Sequence, residues 1–491
     1  MGVWSTQISS LSASNGSPAR ASGGKGVRPT GRCGAVIHLG YEVASLASTR
    51  FPPAFISLSS FILVAALLPF AAVPLPGVGA VGVAQLALIG FHLTWLCQRR
   101  PGPARVQRLE IAILAFIGVA VVAFGLGVAA YGYTREAGLA AFNLAISALV
   151  AIGVMRGITS RPELYGVMRV LLLAAGASGG IGLVLWALPA AATERLLLML
   201  VPIGYPDGPE VIRVVWATQL ERATGTWVDA NLFGGLMMIT AVLVAGQLLV
   251  RETVLPRPVL LAIGLVAVTA LGLTFSRSAW VGTGVALIYL GLVLERRALL
   301  LVVVAVAVVV VVPQLRDRIV GAITVQDAAS VMRVDEYRAS VALIGTHPLF
   351  GVGFGPALGL DLVRRVSNMY LLIAEEMGLL GLAVLLGTLG MVLRRGPGRI
   401  APTGLDAGLR AGLQAALVGC LVAGLFDHYF MNSLFPHTLG LFWLLVGLIA
   451  VAARLNAAPN VAAAATLTTA PDLARDAEDA RRIEAEPTPS G

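Results

Sequence analysis

The sequence predicts an all-α, polytopic integral membrane protein with about twelve transmembrane helices and a long loop on the outer side. Of its 491 residues, 57% are hydrophobic and 12% are charged, whereas a soluble domain carries roughly 25% charged residues. A water-soluble fold of this length needs more polar surface than these residues supply. The composition therefore excludes a soluble enzyme, a disordered chain and a fibrous protein.

Apolar segments of the right length recur along most of the chain. Each crossing of a bilayer by a helix needs about 20 mainly apolar residues. The segments make one transmembrane region at 54–453, between polar tails at 1–53 and 454–491 that we expect to be disordered and cytoplasmic. The predicted spans are 54–75, 78–97, 109–130, 138–155, 166–189, 231–250, 258–275, 279–295, 298–313, 369–392, 407–426 and 434–453.

Arginines cluster in every second short loop, as the positive-inside rule predicts for cytoplasmic loops. The short loops of the other side hold only Arg135 and Arg277. Both termini are therefore predicted to be cytoplasmic. Topology then explains part of the net charge of +9, and we expect no nucleic-acid partner. The cytoplasmic set is Arg99, Arg100, Arg105, Arg108, Arg156, Arg161, Arg169, Arg251, Arg257, Arg296, Arg297, Arg394, Arg395 and Arg399.

Two long segments, about 190–230 and 314–368, fall on the predicted outer side. Long loops in compact proteins are usually functional or disordered, and the aromatic residues here argue against polar tethers. Within the first loop, Pro209–Ala223 has an apolar stripe and a polar face. This pattern is typical of a helix lying on the bilayer surface. A loop helix packed on the bundle is the alternative.

Two arginine clusters lie near the sixth, seventh and eighth spans. Arg222 precedes the sixth span, and its fork of donors suits an anion such as phosphate. Asn231 is a candidate substrate-binding residue, although its residue type at a helix start also favours an N-cap. Arg277 lies in the tight outer turn 274–280. It is either a site residue or a headgroup anchor.

A third cluster occupies the second long loop. Arg333 and Tyr337 are four residues apart and so share one helix face, with Arg338 beside them. The run Pro-Leu-Phe-Gly-Val-Gly at 348–353, after His347, indicates a rigid turn that needs glycine conformations. The alternatives are a solvated helix with local ion pairs and, for His347, a turn histidine.

A fourth cluster leads into the tenth span, which then carries Glu375 and Glu376. Two adjacent carboxylates about two turns into a span cannot both face lipid, so at least one should pair with an arginine or line a cavity. Asp427-His428, after the eleventh span, forms a weaker fifth cluster. The binding candidates of the fourth cluster are Arg364, Arg365, Ser367 and Asn368.

Together the outer clusters offer many arginines, some aromatic residues and few acids, which suits a diphosphate or another polyanion near the membrane. The sequence has no Walker A loop, no HxxxH pair and no Asp-x-Asp pair in an outer loop. Its three cysteines are scattered. We therefore expect neither a metal ion nor another cofactor.

The order of these motifs resembles the O-antigen ligase/polymerase family of bacterial membrane proteins, over roughly 200–390. Residues 222–231 resemble the family's Arg-x-x-Gly-Thr-Phe-x-x-Pro-Asn, with alanine where proline is usual. Residues 274–280 resemble its Ser-Arg-Gly-Ala-Trp turn. Residues 333–353 resemble its Arg-x-x-x-Trp and Pro-Leu-x-Gly-x-Gly motifs, and 367–378 its His-Asn-x-Tyr-Leu and Glu-x-Gly motifs.

The resemblance implies a GT-C-like helical bundle in the bacterial inner membrane, with periplasmic active loops. The donor would be an undecaprenyl-diphosphate-linked oligosaccharide, and the acceptor a glycan, lipid A-core or a protein. A chain-length regulator could be a further partner. Arg222 and Arg333 would bind phosphate, Arg277 would orient the site, and Glu376 is a further catalytic candidate. The glycan would move with inversion, in one displacement, without metal or nucleotide.

One departure from the family pattern concerns the group that activates the acceptor. The family's ligases carry a histidine before the motif asparagine, where this sequence has Ser367. Serine cannot act as a general base near neutral pH. Either His347, Asp361 or Glu376 does this work, or the acceptor needs less activation, or the protein is not a ligase. We favour a polysaccharide polymerase over a lipid A-core ligase, with loss of activity as a third reading.

Other classes of membrane protein share part of this pattern. A transporter or lipid-linked oligosaccharide flippase would show two similar halves and polar, broken spans at the midplane. Here the long loops lie in the middle and second half, and spans three to five are almost free of charge. A cell-wall peptidoglycan polymerase would carry an acidic outer-loop signature that is not evident. A non-catalytic scaffold is the remaining alternative.

Overall fold

The computed structural model describes residues 52–76, 79–98, 107–206, 214–215, 220–324, 328–354, 365–394 and 404–457. These residues are mostly helical, as predicted, with two short antiparallel hairpins that the sequence did not predict. Two 3-10 turns, Val201–Ile203 and Gly225–Trp227, complete the secondary structure. The helices are α1 (Pro53–Leu67), α2 (Val83–Cys97), α3 (Arg108–Tyr131), α4 (Arg135–Gly157), α5 (Arg161–Ala187), α6 (Ala190–Leu198), α7 (Ala230–Leu248), α8 (Arg257–Leu273), α9 (Arg277–Val293), α10 (Ala298–Val311), α11 (Pro313–Ile323), α12 (Ala328–Thr346), α13 (Met369–Leu393), α14 (Leu405–Ala423) and α15 (Pro436–Ala457).

Each of the twelve predicted spans overlaps one helix, but the helices differ in length. Within the described ranges, seven are long and apolar enough to cross a membrane: α3, α4, α5, α7, α13, α14 and α15. An eighth candidate is α10 taken together with the first part of α11, which bends away by 92°. The shorter apolar helices are α1, α2, α8 and α9. Length and composition thus support a multi-pass membrane protein.

The first predicted span ends earlier than expected. Helix α1 stops at Leu67, whereas apolarity alone extended the span to residue 75. Proline removes a backbone donor and disfavours a helical residue before it, so Pro69 and Pro74 prevent the helix from continuing. Strand β1 (Ala72–Leu75) instead pairs antiparallel with β2 (Gly79–Gly82).

Apolar side chains point outward along two of the helices. On α10, Val303, Val304, Val306, Val308 and Val310 are all exposed. Helix α3 likewise exposes a row of aliphatic residues. Contiguous apolar faces of this length are rare on soluble monomers, and they suit contact with lipid chains.

Helix α7 lies at the centre of the packing and is buried along almost its whole length. It contacts α5, α8, α9 and α14. Gly246 allows a close approach to α14, because a Cβ atom there would lie 2.8 Å from the Gly412 Cα. Small residues commonly permit such contacts between membrane helices. The N-terminal end of α7 begins the polar site described below.

The predicted surface helix at Pro209–Ala223 is wrong for the part that the structure describes. Strand β3 (Val214–Val215) pairs with β4 (Leu220–Glu221) in a short antiparallel hairpin. Adjacent β-branched valines favour strand over helix, which outweighs the weak amphipathic period. Nearly all of the predicted tails, together with Arg364 and Asp361, lie outside the described residues.

Candidate functional site

The N-terminal end of α7 is capped by Asp229. Its Oδ1 accepts hydrogen bonds from the backbone nitrogens of Asn231 at 2.7 Å and Leu232 at 3.1 Å. The alternative role of Asn231 as the N-cap is therefore wrong, because the helix begins two residues earlier than its cap position requires. The Asn231 side chain instead accepts a hydrogen bond from Arg222 Nη2 at 2.7 Å.

Arg222 connects the first two predicted clusters. Its Nε donates to the carbonyl oxygen of Thr274 at 2.7 Å, while Nη2 binds Asn231. The next residue, Ala223, donates its backbone N–H to Leu273 O at 2.9 Å. These bonds fix the plane of the guanidinium between the end of α8 and the start of α7.

Each of these clusters also contains a strained backbone position. Among the described residues, Val228 (φ 58°) and Phe275 (φ 51°) are the two non-glycine residues with positive φ. Such conformations cost about 1–3 kcal/mol each and persist only where the surroundings enforce them. Trp227 helps to enforce the first, since its buried indole donates to Ala66 O at 3.0 Å.

Arg277 begins α9 directly after the strained turn and is 9% exposed. A side chain so enclosed by protein does not extend to lipid headgroups, which disfavours the anchor interpretation. The turn lies against α7, because a Cβ atom on Gly234 would be 3.0 Å from the Cβ of Ser276. The second cluster therefore belongs to the same region as Arg222.

Helix α12 presents one face to the segment around Ser367. The hydroxyl of Tyr337 donates to Ser367 O at 2.9 Å and to Leu425 O at 3.1 Å. Glu336 Oε2 accepts the backbone N–H of Ser367 at 2.9 Å. Burial raises the pKa of Tyr337, so the phenol remains a donor at neutral pH.

The arginines of α12 have different surroundings. Arg333 lies on the face that also holds Tyr337, and its Nη2 is 3.8 Å from Asp427 Oδ2. Arg338 pairs with Asp335 at 3.4 Å, and both side chains are largely exposed. The alternative interpretation of this cluster was a solvated helix with local ion pairs. It holds for Arg338 but not for Arg333.

Asn368 caps α13 and joins it to the segment after α14. Its Oδ1 accepts from the backbone nitrogens of Tyr370 at 2.9 Å and Leu371 at 3.0 Å. Its Nδ2 donates to Leu425 O at 2.9 Å, and Met369 N donates to Gly424 O at 2.8 Å. These contacts bring the fourth and fifth clusters together.

Glu376 pairs with an arginine, as the cost of a buried carboxylate requires. Arg365 Nη1 lies 2.8 Å from Glu376 Oε1, and the carboxylate is 6% exposed. The same nitrogen donates to Ser433 Oγ at 3.2 Å. Arg365 is thereby held between α13 and the segment after α14.

The Pro-Leu-Phe-Gly-Val-Gly turn inserts its backbone into a break in α13. Gly378 has φ 69° inside the helix, and Gly351 has φ 68° in the turn. Val352 N donates to Glu375 O at 2.8 Å, and Leu379 N donates to Pro348 O at 2.8 Å. A Cβ atom on Gly378 would lie 2.1 Å from the Leu349 carbonyl oxygen, so only glycine fits.

His347 lies away from Ser367. Its Nε2 is 3.3 Å from the Tyr131 hydroxyl, and its Nδ1 is 2.9 Å from Thr346 Oγ1. Ten residues of helix separate it from Tyr337, which contacts Ser367, and this corresponds to about 15 Å of rise. The His347 imidazole therefore does not take the place of the histidine that the family's ligases carry at the position of Ser367.

The described contacts form two groups, Arg222 with Asn231 and Arg333 with Asp427 beside the segment that contains Ser367 and Asn368. The charge of Asp229, the cap beside Asn231, acts on Asp427 and His428, which relates the two groups. Arg277 and the Arg365–Glu376 pair border these groups, whereas Arg338 and His347 lie outside their contacts. Within the described ranges, no three His, Cys, Asp or Glu side chains are grouped closely enough to hold a metal ion.

Fold and site together define a multi-pass helical membrane protein with an arginine-rich polar site at the helix ends. Residues 261–386, about a quarter of the chain, match the family model described as O-antigen ligase. The match includes Arg277, Arg333 and the motif at 367–378, whereas Arg222 and Asn231 precede it. The resemblance to the O-antigen ligase family is thus confirmed over this segment. A comparison with curated proteins finds no match.

Sequence reasoning missed Asp229 as a cap and gave little weight to Asp427 and His428. An Asp two residues before a predicted helix start was an available signal for the cap. The proximity of Asp427 to Arg333 had no local signal, because the two residues come from different parts of the chain.

Proposed function

We propose that this protein is a membrane glycosyltransferase that moves or polymerises an undecaprenyl-diphosphate-linked glycan on the outer face of the inner membrane. Polymerisation of a surface polysaccharide is the favoured reaction. The family match over residues 261–386 supports a lipid-linked glycan and an acceptor as partners.

The observation that carries this proposal is the convergence of separately encoded arginines. Arg222 is held by Thr274 and Asn231, Arg333 faces Asp427, and Arg365 is held by Glu376. Thr274, Asn231 and Asp427 lie at or near helix ends, and Glu376 lies two turns into α13. A diphosphate carries several negative oxygens, and guanidinium groups recognise such oxygens with pairs of hydrogen bonds.

In this reaction the acceptor hydroxyl attacks the anomeric carbon of the donor glycan, and the bond to the lipid diphosphate breaks with inversion. Negative charge then develops on the leaving diphosphate. Arg222 and Arg333 stabilise this charge in positions fixed before the reaction, which is electrostatic catalysis. The Arg333–Asp427 distance of 3.8 Å exceeds the roughly 2.7–2.9 Å of a charge-assisted hydrogen bond. Arg333 therefore remains able to bind phosphate oxygens.

The choice between polymerase and ligase rests on Ser367. A serine where the family's ligases carry histidine favours a polymerase that extends a lipid-linked glycan, with a chain-length regulator as a further partner. A ligase acting on lipid A-core or a protein is the second candidate, since the matching family model is described as O-antigen ligase.

The proposed topology has twelve crossings, with both termini in the cytoplasm. It counts the seven long helices, the bent pair α10–α11 and the four short apolar helices. In this proposed topology, the N-terminal ends of α7 and α13 face the periplasm.

Deletion of the gene, followed by electrophoresis of surface polysaccharide, separates the candidate functions. Loss of a polymerase leaves single repeat units on the acceptor. Loss of a ligase leaves a bare acceptor and accumulated lipid-linked chains. An unchanged polysaccharide profile and unchanged lipid-linked intermediates would contradict both.

Variants of the arginines test the site itself. Arg222→Ala and Arg333→Ala, at normal membrane levels, should each abolish long glycan chains. Arg316→Ala is the matched control, because the Arg316 side chain is exposed and pairs with its neighbour Asp317. Wild-type chains from either site variant would remove that arginine from the proposed diphosphate site.

A further inference from the structure

The segment between α14 and α15 contributes a buried acid and a histidine to the site. Asp427 Oδ1 accepts the backbone N–H of His428 at 2.9 Å and lies 4.0 Å from the Nδ1 of the same imidazole. Asp427 Oδ2 faces Arg333 at 3.8 Å. The side chains of Asp427 and His428 are 10% and 18% exposed.

Hydrogen bonds fasten this segment to the motif that contains Ser367. Leu425 O accepts from the Tyr337 hydroxyl and from Asn368 Nδ2, and Gly424 O accepts from Met369 N. His428 follows Leu425 by three residues. The His428 imidazole therefore belongs to the same short segment, 424–428, that binds Asn368 and Met369, the two residues after Ser367.

Transfer of a glycan to a hydroxyl needs a group that accepts the hydroxyl proton. Tyr337 donates its proton to carbonyl oxygens, and Glu336 already accepts the Ser367 N–H. Glu376 is engaged by Arg365. Glu376 Oε2 and His428 Nδ1 are both buried without a hydrogen-bond partner among the described residues. Glu376 lies two turns into α13, whereas His428 lies three residues after Leu425, whose carbonyl binds Tyr337 and Asn368.

We infer that His428 is the catalytic base that takes the proton of the acceptor hydroxyl, and that Asp427 is the positioning residue that orients its imidazole. This inference rests on the proposed function. In the structure His428 Nδ1 lies 4.0 Å from Asp427 Oδ1 without a hydrogen bond. The assignment requires this contact to shorten when substrate binds, so that Nδ1 donates to Asp427 and Nε2 is left to accept the proton.

The step balances without any further reactant. The acceptor oxygen forms a bond to the anomeric carbon, and its proton passes to His428 Nε2. The bond from the anomeric carbon to the donor diphosphate breaks, and its electron pair stays on the diphosphate oxygen beside the arginines. The imidazolium then returns its proton to solvent or to the released diphosphate.

The electrostatic surroundings are consistent with a neutral imidazole at rest. Burial lowers the pKa of His428, while Asp427, Glu336 and Asp229 raise it and Arg365 lowers it further. The net direction is downward from 6.5. At neutral pH the ring is therefore unprotonated and able to accept a proton.

The test uses full-length protein in membranes and, as donor, lipid-linked oligosaccharide extracted from a strain that lacks the gene. His428→Gln should lower kcat by about 100-fold or more, the usual contribution of a general base, with the KM for the donor little changed. His92→Gln is the matched control, because His92 binds the Ile146 carbonyl between helices and lies outside the site. Retained kcat, or an effect on KM alone, would overturn the inference.

The same assay separates this inference from the proposed function. If wild-type membranes transfer no glycan from the extracted donor, the proposed function fails. If wild type is active and His428→Gln is equally active, only the base assignment fails.

The pH profile supplies a readout that does not depend on a folded variant. Wild-type activity should fall reversibly as pH drops through the lowered pKa of His428, because protonation removes the acceptor nitrogen. Asp427→Asn should reduce kcat and move this acid limb to lower pH, since it removes a charge that raises the His428 pKa. A wild-type acid limb whose midpoint lies at or above 6.5, or an Asp427→Asn profile with an unmoved limb, would overturn the respective role.

Discussion

Gly378 in α13 and Leu349 in the preceding turn meet backbone to backbone, and a Cβ atom on Gly378 would come within 2.1 Å of the Leu349 carbonyl oxygen. The positive φ of Gly378 breaks the helix at this point. Two motifs that are separate in the sequence, Pro-Leu-Phe-Gly-Val-Gly and Glu-x-Gly, thus form a single backbone joint.

Gly378→Ala should destabilise the protein strongly, because the added Cβ meets a carbonyl and the backbone keeps a positive φ. Strain of this kind alone costs about 1–3 kcal/mol. Gly387→Ala in the same helix is the matched control, since no atom lies within 4 Å of its Cβ position. It should be neutral or stabilising by up to about 1 kcal/mol. Thermal unfolding in detergent measures both, and equal midpoints would contradict the joint.

Removal of one partner of the Arg365–Glu376 pair should be costly. An uncompensated buried charge destabilises by about 3–5 kcal/mol, so Arg365→Met should lower the unfolding midpoint markedly. The double variant Arg365→Met/Glu376→Leu should recover much of the loss, because it removes both charges. If the double variant loses as much stability as the two single variants together, or more, the unpaired charge is not the source of the loss in the single variants.

Asn231→Ala should impair transfer through Arg222. It removes the acceptor of the 2.7 Å hydrogen bond that fixes the guanidinium, and a small misplacement of a binding group can cost up to about 100-fold in rate. Since Asp229 rather than Asn231 caps α7, the stability of the helix should be little affected. Activity and thermal stability measured on the same preparation check this. A parallel loss of stability would restore a structural role for Asn231.

The contribution of Asp427 to stability should fall as pH rises, whereas the contribution of an aspartate in an ordinary ion pair increases with pH. Burial raises its pKa above 3.8, despite opposing effects of His428 and Arg333. The folded protein therefore binds this proton more tightly than the unfolded chain, so the Asp427 contribution to stability falls as pH rises from about 4 through the raised pKa. Asp427→Asn should lack this decline and be at least as stable as wild type at neutral pH, although less active. A variant that becomes relatively less stable as pH rises would show that Asp427 is mainly a stabilising partner of Arg333.

The twelve-crossing topology can be measured with single cysteines in a protein that has its native cysteines replaced by serine. A cysteine at Arg338 should react with a membrane-impermeant maleimide in spheroplasts. One at Arg297 should react only after the membrane is opened, and one at Val306 only weakly, because it faces lipid. Reaction of positions 297 and 338 from the same side would contradict the proposed alternation.

The sequence predicted the helical class and the order of the apolar helices, because apolar length is a local property of the chain. It also predicted that at least one of Glu375 and Glu376 would pair with an arginine or line a cavity, since an isolated carboxylate in a span is too costly, and Glu376 pairs with Arg365. It misplaced the end of α1 because the apolar residues continue past Pro69. Apolar residues show which segments can lie in a membrane, whereas prolines decide where a helix ends.

The site was less predictable, because its contacts join residues from distant positions. The arginine motifs identified Arg222 and Arg333, but not that Asn231 supports the first or that Asp427 faces the second. The strained backbone at Val228 and Phe275 has no signature in residue type. No local sequence pattern distinguishes His428 from the other histidines, although the fold brings its segment into contact with Tyr337 and Asn368.

The joint between the turn and α13 has a consequence for how the sequence can vary over evolutionary time. Its contacts use backbone N–H and carbonyl groups, so Leu349, which is 67% exposed, and Val352 are free to change in side chain. Gly351 and Gly378 are not free to change, because a Cβ atom on either residue would collide with backbone atoms of the opposite segment. Related chains should therefore vary at the apolar positions of this motif long before they lose either glycine. Replacing both glycines should cost more than replacing one, because each added Cβ atom meets its own set of backbone atoms.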